Sequence, residues 1–90
     1  MKIKEKEFEE IMQELKSVAD QLGASVRFEK GDFKGGYCIV HEKMVIVINR
    51  MTNLQRKVMI LSTALKELGV DSIYLSPRIR EVIEEMSGIL

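Results

Sequence analysis

Residues 25–49, SVRFEKGDFKGGYCIVHEKMVIVIN, decide the fold. They read as three strands. Met44-Val45-Ile46-Val47-Ile48 is the densest apolar run in the chain and belongs to the last of them, Met44 to Asn49. Tyr37 to His41 forms the second strand, with Glu42-Lys43 as the turn between the two. That pair lacks the Asn-Gly or Asp-Gly signature of tight hairpins, so the turn type stays open. An even-length loop there pairs Val40 with Val45, Ile39 with Ile46 and Cys38 with Val47. Side chains alternate along a strand. One face therefore carries Tyr37, Ile39, His41, Met44, Ile46 and Ile48, and the other carries Cys38, Val40, Val45 and Val47. Both are apolar. Ser25 to Glu29 is the first strand, with Val26 and Phe28 on one face and Arg27 and Glu29 on the other. It is only half apolar and reads as an edge.

Lys30 to Gly36, KGDFKGG, joins the first two strands. Three glycines permit positive φ and expose backbone N–H groups. With Arg27, Lys30 and Lys34 nearby, Gly31, Gly35 and Gly36 make a candidate anion-binding nest. The stretch is not a Walker loop, because Tyr37 rather than Lys-Ser or Lys-Thr follows Gly36, and no helix begins behind it. The ordinary reading is a wide hairpin loop whose glycines serve turns or a bulge. Phe33 at its tip is either a lid over the core or an exposed contact.

Helices flank the sheet. Phe8, Ile11, Met12, Leu15, Val18, Ala19 and Leu22 recur at three- and four-residue spacing, so Ile3 to Leu22 reads as an amphipathic helix. Glutamates 5, 7, 9 and 10 suit its positive N-terminal end, and Gly23 suits the position after it. Thr52 to Leu68 reads as the second helix. Thr52 and Gln55 fit a capping box, Leu54, Val58, Leu61, Leu65 and Leu68 form its inward stripe, and Met59, Ile60 and Ala64 widen that stripe. Gly69 stops it. A connector follows, with a brief strand suggested at Ile73-Tyr74-Leu75. Ser76-Pro77 then caps and opens a third helix, whose stripe is Ile79, Val82, Ile83 and Met86 and whose end is Gly88. The expected fold is one α+β domain over residues 1–90, a three-stranded antiparallel meander with one N-terminal and two C-terminal helices, in the order α-β-β-β-α-α.

A chain of 90 residues buries only roughly 60–65% of its unfolded surface, so its core is small. Its single cysteine, Cys38, precludes an intramolecular disulfide and suits a reducing cytosol. The charged start MKIKEKEFEE is not a signal peptide, and the longest apolar run is far short of a bilayer span. A cytoplasmic protein without a membrane partner is expected. Net charge is zero, which argues against nonspecific nucleic-acid binding. The charge is unevenly spread, with seven basic and three acidic side chains in residues 23–58 between acidic helices. Arg50, Arg56 and Lys57 gather near the start of the second helix, but Phe33 and Tyr37 are the only aromatics that suggest stacking, so nucleic-acid binding ranks low.

The chemistry-bearing residues are sparse. His41 is the only histidine and faces away from Cys38 across the sheet, which argues against a Cys/His dyad. One Cys and one His do not build a structural zinc site within one chain. Glu84 and Glu85 are adjacent on a helix and diverge. Asp32 beside Gly31 is ordinary turn chemistry. No catalytic residue, metal or cofactor is expected.

Over roughly residues 9–68, the order helix, strand, glycine-bearing hairpin, apolar strand ending in Asn, then capped helix resembles the front part of the ImmA/IrrE-type minimal metallopeptidases. In those, VIVINRMTNLQRKVMILSTALKEL corresponds to the segment entering the active-site helix. The family's HExxH motif is absent, and Thr63-Ala64-Leu65-Lys66-Glu67 stands about where it would fall. The resemblance therefore implies a metal-free scaffold without peptidase activity. Convergence on the same element order explains it equally well. The chain otherwise looks like a small bacterial protein.

Two functional readings follow. The first is a non-enzymatic interaction module, a homodimer with Cys38, Val40, Val45 and Val47 in its seam. A meander in a small α+β domain usually has one wet, polar face, and here neither face is polar. The second is a small-ligand or phosphate binder that uses Arg27, Lys30, Gly31, Lys34, Gly35 and Gly36.

Overall fold

The computed structural model describes residues 3–31, 35–40 and 43–87, with 35–40 as backbone only. Six elements follow in order: α1 (Glu5–Gln21), β1 (Ala24–Glu29), β2 (Gly35–Val40), β3 (Lys43–Asn49), α2 (Leu54–Leu68) and α3 (Pro77–Met86). The strand order is β1-β3-β2. β1 runs parallel to β3, with Val26 opposite Ile46 and Phe28 opposite Ile48. β2 runs antiparallel to β3, with Tyr37 opposite Ile46 and Cys38 opposite Val45.

The sheet is thus mixed, and the expected antiparallel meander is overturned. β3 lies in the centre, and β1 is an edge as anticipated. The physical reason is the apolarity of Met44 to Ile48. Central strands are more enclosed than edge strands, and a continuous hydrophobic run suits the more enclosed position. The half-polar β1 takes the edge instead. The connection from β1 to β2 must then pass over the end of β3. Neighbouring strands lie ~4.8 Å apart, so the crossing spans roughly 10 Å. The extended chain covers ~3.3–3.6 Å per residue, so residues 30–34 are long enough.

Asn49, the last residue of β3, fixes this crossing. Its side-chain Nδ2 donates to Gly31 O at 2.8 Å, and its Oδ1 accepts from the Met51 amide at 3.0 Å. Its carbonyl accepts from the Thr52 hydroxyl at 2.8 Å and from the Thr52 amide at 3.2 Å. One buried side chain thereby ties the outgoing glycine loop to the turn that leads into α2. The neighbouring Arg50 amide donates to Glu29 O at 2.9 Å and continues the parallel ladder by one bond.

Several boundaries differ from the sequence reading. β3 already begins at Lys43, which the sequence reading places in the turn, while Glu42 lies outside the described residues; the register is shifted by two residues, with Ile39 opposite Met44 rather than Ile46. A shift of two preserves which residues share a face. The capping box at Thr52 does not form, because the Thr52 hydroxyl is used on Asn49 O. Asn53 caps α2 instead, its Oδ1 accepting from the Arg56 amide at 2.8 Å. Ile73-Tyr74-Leu75 is not a strand; Leu75 is buried and Tyr74 is exposed. Ser76 and Pro77 behave as anticipated, with Ser76 Oγ accepting from the Ile79 amide at 3.3 Å. Gly23 and Gly69 follow α1 and α2 with φ of 77° and 89°, which a residue with a Cβ tolerates poorly.

α1 and α2 pack against each other. α1 packs on β1 and α2 on β3 and β2, while α3 packs on α2 and α1 and not on the sheet. The layers are therefore sheet, then α1 with α2, then α3. α2 is covered from two sides, so Val58, Ile60, Leu61, Ala64 and Leu65 are all buried. The broad apolar stripe of this helix reflects its middle position. Ser62 is fully buried there, and its hydroxyl has no hydrogen-bond partner among the described residues, an arrangement that works against stability.

Asn49→Ala removes a buried donor and acceptor and leaves the Gly31 carbonyl and Met51 amide without these bonds. The expected cost is about 1–3 kcal/mol. It is read as a lowered urea midpoint with an unchanged slope, and a change within about 0.5 kcal/mol would mean that Asn49 does not hold the crossing.

Candidate functional site

Two faces of the sheet follow from its register. On the helix side, Ile46 and Ile48 are fully buried in the main core, and Val26, Phe28 and Met44 pack against it. Met44, Ile46 and Ile48, expected on one face of the strand, thus share the helix side. Among the described residues no helix covers the other side, since α1 and α2 meet the sheet on the Ile46 side and α3 packs on those two helices. There the central strand presents Val45 and Val47. Val45 is buried but stands apart from the main core, and Val47 is half-buried.

The neighbours of these valines explain the difference between them. Val45 lies between Ser25 of β1 and Cys38 of β2, whereas Val47 lies between Arg27 and Gly36. A glycine neighbour supplies no side chain to shield Val47. The β1 row on this face, Ser25, Arg27 and Glu29, is exposed and polar. The apolar area is therefore confined to part of the sheet, a correction to the reading that neither face is polar. Of the proposed seam, Val45 and Val47 are on the uncovered face. Cys38 is opposite Val45 and Val40 opposite Lys43 in the ladder.

The proposed anion site is spread out. Arg27 is in the middle of β1, on the uncovered face, and Lys30 and Gly31 are exposed at the start of the crossing loop. The Gly31 carbonyl accepts from Asn49, so this residue is held by β3. Gly35 and Gly36 belong to β2 and pair with Ile48 and Val47. The loop is thus residues 30–34 rather than 30–36. Lys34, Asp32 and Phe33 lie outside the described residues, as do His41 and Gly88. The alternation of β1 already places Arg27 on the face opposite Phe28, away from any helix; its grouping with the loop lysines in the sequence reading followed closeness in sequence alone.

A second concave region forms on the helix side. Glu9, Glu10, Met12, Gln13 and Lys16 of α1, Phe28 of β1, and Leu54 and Lys57 of α2 line a groove of about 460 Å³. The Lys16 and Lys57 ammonium groups stand 5.0 and 5.6 Å from the centre of the Phe28 ring. Sequence reading missed this cluster, because its three members are far apart along the chain and meet only through packing. Among the described residues no three of His, Cys, Asp and Glu come together as a metal site, and no helix is long and apolar enough to cross a membrane.

If the crossing loop acts only as a connection, Lys30→Ala with Lys34→Ala leaves stability within about 0.5 kcal/mol of the parent, as for typical surface changes. Phosphate added to labelled protein should then move no amide selectively. Shifts clustered at Gly31, Gly35 and Gly36, lost in the double variant, would instead assign the loop an anion.

Comparison of the chain with family models, with curated proteins and with solved structures found no match.

Proposed function

We propose that this protein is a non-enzymatic interaction module that pairs with a second copy of itself through the uncovered face of its sheet. The observation that carries the reading is the one-sided helix packing, which leaves Val45 and Val47 of the central strand without a helix over them. Two further features favour a second copy as the occupant. Arg27 and Glu29 are two residues apart on the exposed row of β1, so a two-fold axis lets Arg27 of one copy meet Glu29 of the other. Gly36 beside Val47 carries no side chain, so a valine from the second copy can approach there. A two-fold interface is self-complementary in this way.

The face is small. Three strands of about six residues cover roughly 14 by 20 Å, or about 300 Å². A standard stable interface buries about 800 Å² per partner. The pair is therefore weak and concentration-dependent rather than obligate, and its contact is centred on β3.

Light scattering over a concentration series should show the mass rising from 10.3 kDa toward twice that value. Val47→Lys places a charge in the seam and should give a folded protein that stays monomeric throughout. A variant that still dimerises puts the interface elsewhere. An unfolded variant means that Val47 belongs to the monomer's own core.

A further inference from the structure

The groove between α1, β1 and the start of α2 has the size of a small-molecule site, and such sites usually combine an apolar floor with a few polar groups. Met12 is buried in its floor, and Phe28 and Leu54 are half-exposed there. Glu9 and Glu10 are exposed, and Lys16 and Lys57 are half-buried. Glu9 and Glu10 precede Lys16 on the same helix by six and seven residues, which separates them by roughly 10 Å along its axis. Lys57 joins Lys16 around the Phe28 ring. Among the described residues, neither lysine forms an ion pair; the pair present is Arg78 with Glu14, elsewhere on α1.

Two ammonium groups drawn to one ring repel each other, and a half-exposed cation–π contact is a weak tether. An ammonium–carboxylate hydrogen bond is stronger, so either lysine can leave the ring for an anionic head. The four charges of the lining cancel, so a dianion gains little from the groove as a whole. A monoanion gains if its head sits at the lysine end and its body on the apolar floor.

We propose that this groove binds a small amphipathic carboxylate, its head held by Lys16 and Lys57 and its aliphatic body lying on Phe28, Met12 and Leu54. The site is on the helix side of the sheet, so occupancy is independent of pairing through Val45 and Val47.

The test is a titration of isotope-labelled protein with octanoate, beside octanamide as the uncharged analogue of equal length. Octanoate should give saturable shifts centred on Met12, Phe28 and Leu54, and octanamide should bind roughly tenfold more weakly. K16Q/K57Q should lose the same factor for octanoate, and K16R/K57R should keep most of the affinity. The proposal is overturned if octanoate gives no saturable shift in the millimolar range, or if octanoate and octanamide bind alike. It is equally overturned if K16Q/K57Q binds octanoate as the parent does, or if the shifts centre on Val45 and Val47. The octanoate–octanamide comparison uses the parent chain alone, so it stands even if a variant fails to fold.

Discussion

The side chain of Asn49 holds together two segments that would otherwise have no reason to meet. Its amide group ties Gly31 to the end of β3, and its side-chain oxygen and carbonyl shape the turn toward α2. A buried asparagine is costly unless its donors and acceptors are satisfied, and when satisfied it specifies one arrangement over others. Here the arrangement is a loop that skips a strand. With the crossing fixed, β3 is central, β1 is parallel to it, and the helices that adjoin β1 and β3 pack against each other.

That placement separates the molecule into a closed side and an open side. On the closed side Ile46 and Ile48 join the helix core, and α3 adds a layer over α2 without touching the sheet. On the open side the same strand presents Val45 and Val47, flanked by a polar row from β1. The central strand is thus apolar on both faces, although helices cover one of them. The proposed self-association would cover the remaining face. The lysine-bearing groove is on the closed side, so the two proposed binding surfaces do not compete for residues.

Much of the local structure was legible in the sequence. The three-and-four spacing of α1 and the Ser76-Pro77 start of α3 translate directly into elements, because each rests on short-range chemistry. The faces of β3 were also legible, since a register error of two residues leaves side-chain alternation intact. The strand order was not. KGDFKGG has the same composition whether it joins adjacent strands or steps over one, and consecutive strands are more often neighbours. The decisive signals were the two-sided apolarity of Met44 to Ile48 and the polar residue that ends it. The helix cap moved from Thr52 to Asn53 for the same reason, because Thr52 is recruited by Asn49. Of the candidate site residues, Val45 and Val47 follow from alternation alone. Lys16, Lys57 and Phe28 share no local pattern, and only the packing of α1 and α2 against β1 brings them together.

The strand order is the claim on which both surfaces depend, and nuclear Overhauser contacts between backbone protons test it most directly. A parallel β1–β3 pair predicts contacts linking Val26 with Ile46 and Phe28 with Ile48, together with antiparallel contacts linking Cys38 with Val45 and none between β1 and β2. Cross-strand contacts between β1 and β2, with none between β1 and β3, would restore the meander and contradict the crossing, the central position of β3 and the role given to Asn49.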